Sequence, residues 1–227
     1  MARKGHCDRC GQCCLQGGPA LHTQDLELIK EGHILRDDLV TVRKGELALA
    51  PLQDTPQAVE KEFLKLQGHQ GQWSCIHYDM AQGLCRVYRH RPLACRVLEC
   101  IAPEPLLAIT GKNLLSRFDL IPVDDPLLPY VREHEARCPC PPFSDILEKL
   151  SSATDQDFGL LEELEQQVQT DIRYRTALQR NFGMTLGREL FYLGRPLFQL
   201  LVPLGLATYQ EGERVRLYRA SPSAVCI

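Results

Sequence analysis

The 227-residue sequence carries no strong charge of either sign, its formal net charge being -3, and no apolar run long enough for a membrane span. Near-balanced charge and a pI of about 6.2 speak against nucleic acid as a partner. The most apolar segment, Leu190 to Ala207, is interrupted by Arg195, Pro196, Pro203 and Gly205. It falls short of the roughly 20 apolar residues of a membrane helix. The basic start, Met1-Ala2-Arg3-Lys4, leads into no apolar stretch of the kind a secretory leader needs, so a cytoplasmic protein is expected. Also missing are a Gly-x-Gly-x-x-Gly turn after a strand, a phosphate-loop Lys-Ser/Thr motif, low-complexity tracts and long-period repeats. Nothing therefore points to a nucleotide-binding or solenoid fold.

What the sequence has in plenty is cysteine, eleven in all, within a chain that is 44% hydrophobic and so able to build an ordinary core. At about 5% of the residues this is below the roughly 8–10% of a small disulfide scaffold. In a reducing compartment such a surplus points to metal or redox chemistry rather than to disulfides. The thiols are unevenly placed. Cys7, Cys10, Cys13 and Cys14 form one run, Cys75, Cys85, Cys95 and Cys100 a second, and Cys138 and Cys140 a pair, with only Cys226 beyond them. The composition changes near Pro141-Pro142, from thiol-rich to acidic and then to Arg-rich. This divides the chain into a cysteine-cluster metal-binding domain over residues 1–142 and a helical region over 143–227 that packs on it.

The expected fold is α+β. It has an irregular, metal-stabilised cysteine-rich domain of short helices and strands, then a mainly helical region with a terminal hairpin. Thr23 to Lys30 reads as a helix with Thr23 as N-cap, ended by Gly32. Leu39–Arg43 and Leu47–Leu49 read as strands joined by a turn at Lys44-Gly45, and Pro56–Leu66 as a second helix. Leu161, Leu164, Val168 and Ile172 recur at helical spacing from a start near Thr154, and Ser144 and Thr170 are candidate N-caps. Pro196 and Gly205 bracket another short helix, and 207–218 reads as a hairpin turning at Glu211-Gly212-Glu213.

The two-residue gaps separating Cys7, Cys10 and Cys13 let a tight turn aim successive sulfurs at one metal, as in zinc and iron–sulfur sites. A bacterial ferredoxin run would place its fourth cysteine at Gly17, so that match stops at three ligands, although a remote fourth thiolate is compatible with it. A radical SAM triplet fails, because its first or middle position would fall on His6 or Gly11. Cys7-Asp8-Arg9-Cys10-Gly11 equally resembles a zinc knuckle. The second run sets Cys75-Ile76-His77-Tyr78-Asp79 before a turn at Gln82-Gly83, then Cys85-Arg86-Val87-Tyr88, Arg91-Pro92, Cys95-Arg96 and Cys100.

This order of residues resembles the YkgJ-type cysteine-cluster family, described as a zinc- or iron-chelating domain, to whose broad group flagellin lysine N-methylase belongs. The resemblance implies a metal or iron–sulfur site with Cys7, Cys10, Cys13, Cys14, Cys75, Cys85 and Cys95 as ligands. Cys100 and Cys138 match a longer variety of the pattern, although many relatives carry an aromatic-Pro pair near Glu99-Cys100. It supplies no reaction.

Nine candidate thiolates exceed the four that one tetrahedral zinc or one four-iron cluster takes, so two centres or one multinuclear centre are expected. Cys13 and Cys14, if extended, would point apart and serve different metals, or one of them would lie behind the ligands rather than bind metal itself. Arg91 and Arg96, close to the thiols, are candidates for binding the cofactor or an anionic substrate. His77 and His134 read as core or surface histidines first and as ligands or ligand-orienting groups second, and Cys226 as a bystander. An iron–sulfur centre for redox or group-transfer chemistry is preferred, with a redox or protein partner. The alternative is a zinc-binding structural, interaction or storage protein.

Overall fold

The computed structural model describes residues 7, 9–69, 73–100, 102–151, 157–212 and 214–220. Cys226, and Thr154 as the start of the long helix, lie outside the described residues. The chain is α+β, with short antiparallel strand pairs in its first half and helices followed by a hairpin in its second.

The first half opens with a four-residue helix, α1 (Gln12–Leu15), and with α2 (Leu26–Lys30), which continues a 3-10 turn over Thr23–Asp25. That turn is not capped by Thr23. The Asp25 carboxylate accepts the N–H of His22 at 2.9 Å, so the chain enters the turn one residue earlier. Strands β1 (Leu39–Val42) and β2 (Leu47–Ala48) do turn at Lys44-Gly45 but do not pair with each other. Instead β2 pairs with β3 (Gln57–Ala58), and β1 with β4 (Phe63–Leu66), Leu39 lying opposite Leu66 and Val42 opposite Phe63.

The helix expected over Pro56–Leu66 is therefore two strands. Leu64 and Leu66 point inward and are buried while Phe63 and Lys65 are half-exposed, a period of two. Burying each leucine contributes about 1.5–3 kcal/mol, which outweighs helix propensities that differ by less than about 1 kcal/mol per residue. A two-residue hairpin, β5 (Tyr78–Asp79) with β6 (Leu84–Cys85), turns at Gly83 as its sequence suggests. It is followed by α3 (Leu93–Val97) after Pro92 and by α4 (Glu104–Ile109).

The second half contains α5 (Leu128–Arg137), α6 (Phe143–Ser151), the 26-residue α7 (Asp157–Phe182), α8 (Leu186–Leu193) and α9 (Leu197–Leu200). Strands β7 (Leu206–Glu211) and β8 (Arg214–Arg219) close it as the expected hairpin. Ser144 and Thr170 are not caps: both lie inside helices, and the Thr170 hydroxyl donates to the Gln166 carbonyl one turn back. Leu164 and Val168 of α7 are buried with Phe143, Leu197 and Leu217 in one core. A larger core gathers Leu39, Leu64 and Leu66 with Val131, Phe191 and Leu193. Helix α8 lies on β1, where the Thr41 hydroxyl donates to the Phe191 carbonyl at 2.5 Å.

Beneath β1 runs a buried ionic network. The fully buried Arg43 and Arg117 both bind Glu135 of α5, at 2.8 and 2.7 Å, and Arg117 also binds Glu62 at 3.0 Å. Glu46 pairs with Arg195 at the entry to α9. These pairs tie the short strands to the helices of the second half. Among the described residues no helix is long and apolar enough to cross a membrane.

Candidate metal centre

Four chain segments deliver sulfur to one place. The first is the loop into α1, which holds Cys13 and Cys14 at the edge of the larger core. Gly11 precedes the helix with a left-handed φ of 78°, and a Cβ there would stand 2.0 Å from the hydroxyl oxygen of Tyr78. The β5 tyrosine thus presses on the backbone of the cysteine loop, and only glycine leaves it room. The Cys75 N–H donates to the Cys14 carbonyl at 2.7 Å, stitching the loop to the segment before β5. Cys85 ends β6, opposite Tyr78 in register. Cys95 lies in α3, whose first N–H, on Leu93, is held by the buried Asp25 carboxylate at 2.7 Å.

The electrostatics show which sulfurs face one another. Burial pushes the Cys14 thiol up to about 12, reinforced by negative charge at Cys13, a hydrogen bond with it, and charge at Cys75 and Cys85. Cys75 is pushed up to about 11, first by burial and further by Cys85 and Cys13, against a hydrogen bond from the His77 N–H and the charge of Lys65. Cys95 is raised furthest, by burial and then by Cys75, Cys13, Cys14 and Cys85. Cys85 is raised by burial and by Cys7, while the Val87 N–H and the Arg91 guanidinium oppose the shift. Cys13, Cys14, Cys75, Cys85 and Cys95 therefore share one neighbourhood, with Cys7 near Cys85, although Cys13 and Cys14 are the one pair in it drawn to 4.0 Å and no three of these sulfurs lie within 4.8 Å of one another.

Cys13 and Cys14 do not diverge as an extended segment would have them do. Both sit in the helical turn of α1, where their sulfurs are 4.0 Å apart. Cys10 and Cys100 are exposed, and the Cys7 sulfur accepts the Arg9 N–H at 3.4 Å. Cys138 and Cys140 stand elsewhere, at the end of α5. Cys138 is buried beside Asp171, and burial pushes Cys140 up to about 12 despite the nearby Arg43.

Of the two arginines singled out, Arg91 faces the sulfurs. Its guanidinium lies 4.0 Å from the centre of the Tyr88 ring, as does that of Arg9, and its Nε is buried with no hydrogen-bond partner among the described residues. Arg96 is half-exposed, 3.9 Å from Asp25. The His77 side chain turns to Asp38, 3.4 Å away, and what it gives the sulfurs is its backbone N–H. Burial would raise the Asp38 carboxyl, but the nearby His77 imidazole and a hydrogen bond from the Leu35 N–H hold it below its ordinary value. His134 is a core histidine, its Nε2 2.7 Å from Asp171.

The contacts of Tyr78 and Tyr88, and the roles of Arg9, Asp25 and Asp171, escape sequence reasoning. Gly11 inside a cysteine run hints that something packs on the loop, but pairings such as Asp25 with Leu93, or His134 with Asp171, have no signal in a single sequence.

Five buried or half-buried thiols whose thiolates would repel one another are well placed for a thiophilic cation, which replaces their protons and cancels that repulsion. The donor set fits zinc or iron and exceeds what a single tetrahedral ion takes. Comparison with known proteins agrees. Residues 6–110, a little under half of the chain, match the family model described as "CxxCxxCC: Putative zinc- or iron-chelating domain". No curated protein and no solved structure matches the chain.

Proposed function

With residues 6–110 matching the CxxCxxCC zinc- or iron-chelating family, we propose that the convergent thiols hold an iron–sulfur centre used in redox or group-transfer chemistry. The observation that carries this reading is the gathering of Cys13, Cys14, Cys75, Cys85 and Cys95 in one neighbourhood, where each thiol feels the charge of others, with Cys7 at the edge. When bound, such a centre supplies one-electron transfer or an iron at which a small substrate is activated. The chain's own part is to position and tune. The N–H groups of His77 and Val87 donate to the Cys75 and Cys85 sulfurs, and Arg91 sets a positive charge against Cys85. Each of these stabilises electron-rich sulfur and raises the potential at which the centre takes up an electron. The exposed Cys10 and Arg9 form the side from which a redox or protein partner approaches in this reading.

A zinc-binding structural role is the second reading. It is favoured by strands of only two residues in β2, β3, β5 and β6, which need a cross-link to persist. Purification without oxygen, followed by iron, zinc and acid-labile sulfide analysis, separates the two. Iron with matching sulfide and colour that bleaches with dithionite supports the first. A colourless zinc protein that unfolds on chelation supports the second.

A further inference from the structure

Away from the convergent thiols, three side chains of different chemistry meet in the second half of the molecule. His134 and Cys138 stand one helical turn apart at the end of α5, and Asp171 faces them from α7. Their exposures are 0%, 1% and 0%, and one donor atom from each lies within 4.8 Å of the other two. His134 Nε2 is 2.7 Å from an Asp171 oxygen, whereas its Nδ1 is buried with no hydrogen-bond partner among the described residues. A cation shared with Asp171 would be held by Nε2, the nitrogen that faces the carboxylate, in place of this hydrogen bond, since the Nδ1 lone pair points to the opposite edge of the ring.

The charges around the cluster decide whether a cation can be held there. Arg175 donates to both Asp171 oxygens at 2.9 Å, and the Leu197 N–H donates to one of them, which fixes the carboxylate. The Arg175 charge is answered by Glu189 at 2.9 Å, and that of the nearby Arg43 by Glu135 at 2.8 Å. What remains is one carboxylate, one thiol that becomes a thiolate on binding, and one imidazole, which ligates in its neutral form. Two negative charges match one divalent cation. The negative end of the α5 dipole adds a favourable partial charge. Mixed sulfur, nitrogen and oxygen donors select zinc or ferrous iron over magnesium or calcium, which take oxygen ligands.

We propose that His134, Cys138 and Asp171 bind one divalent transition-metal ion at a site separate from the convergent thiols. The site lies outside residues 6–110 and does not depend on what the thiols hold. Metal joins α5 to α7 there, beside the fully buried Phe191–Leu193 stretch of α8 and the start of α9.

The test is metal content per chain in the full-length protein loaded with zinc without oxygen, then desalted. Asp171→Asn, His134→Gln and Cys138→Ser are each expected to lose one equivalent and to keep the metal of the convergent thiols. A Cys13→Ser/Cys75→Ser variant is expected to lose the thiol-centre metal and keep this one. Unchanged metal content in the three single variants overturns the proposal, whatever the double variant does. Should those variants fail to fold, zinc X-ray absorption of the Cys13→Ser/Cys75→Ser variant, in which His134, Cys138 and Asp171 are intact, decides: a first shell with one sulfur among nitrogen and oxygen supports the site, and no bound zinc, or an all-sulfur shell, rejects it. Loss of metal in the single variants with none lost in the double variant would reject the thiol centre and leave this site standing.

Discussion

Gly11 and Arg91 show how much of the thiol centre rests on single residues. At Gly11 a side chain meets both a left-handed backbone, costing about 1–2 kcal/mol for an L residue, and the Tyr78 hydroxyl. Gly11→Ala should displace the loop that presents Cys13 and Cys14. We expect it to reduce bound metal by at least half, measured by elemental analysis, while Gly32→Ala, at a glycine with open space around it, leaves metal content unchanged. Arg91→Gln removes the positive charge facing Cys85 but keeps a polar side chain. Metal retention against a chelator should weaken about tenfold, the scale of a lost outer hydrogen-bond partner, and the Arg91→Lys variant should recover part of it. The residue types at the centre were legible in the sequence because two-residue cysteine gaps have few other uses. Arg91 was also visible from its place beside the thiols, but the stacking of Arg9 on Tyr88 and the Asp25 cap on α3 join residues far apart in sequence.

Among the elements, the segment over residues 56–66 is the clearest divergence between local pattern and fold. Its charged residues and leucines suit a helix, yet β1 offers an edge that buries Leu64 and Leu66, and the long-range pairing wins. The terminal hairpin and the apolar stripe of α7 were readable because each satisfies its pattern locally. The ionic network between elements was not, since Arg43, Arg117 and Glu135 come from three separate segments. Glu135→Gln leaves two fully buried guanidinium groups short of a carboxylate. Breaking a buried pair in this way costs about 3–5 kcal/mol, so urea unfolding of this variant should show a large loss of stability. The Glu133→Gln variant, on the exposed face of α5, should change it by less than about 1 kcal/mol.

For the whole molecule, metal and fold are linked through protons. Without metal, Cys14 and Cys75 keep their protons in the folded chain to about 12 and about 11, against an ordinary value of 9.0. Folded values above unfolded ones favour the fold below pH 9, and that contribution is lost as pH rises toward 11 to 12. Metal-free protein should therefore melt at progressively lower temperature above pH 9, whereas metal-loaded protein, its thiolates already bound, should hold its melting temperature over the same window. Metal uptake at neutral pH should release about one proton per coordinating thiol, measurable in weakly buffered solution.

The central claim, that the convergent cysteines form a metal centre built for redox or group-transfer chemistry, is tested most directly by one determination. Iron, zinc and acid-labile sulfide are measured per chain in protein purified without oxygen, beside the Cys75→Ser variant. The account predicts iron with matching sulfide in the wild type and its loss in the variant. Wild-type protein without bound metal, or with iron that survives Cys75→Ser in full, would contradict it.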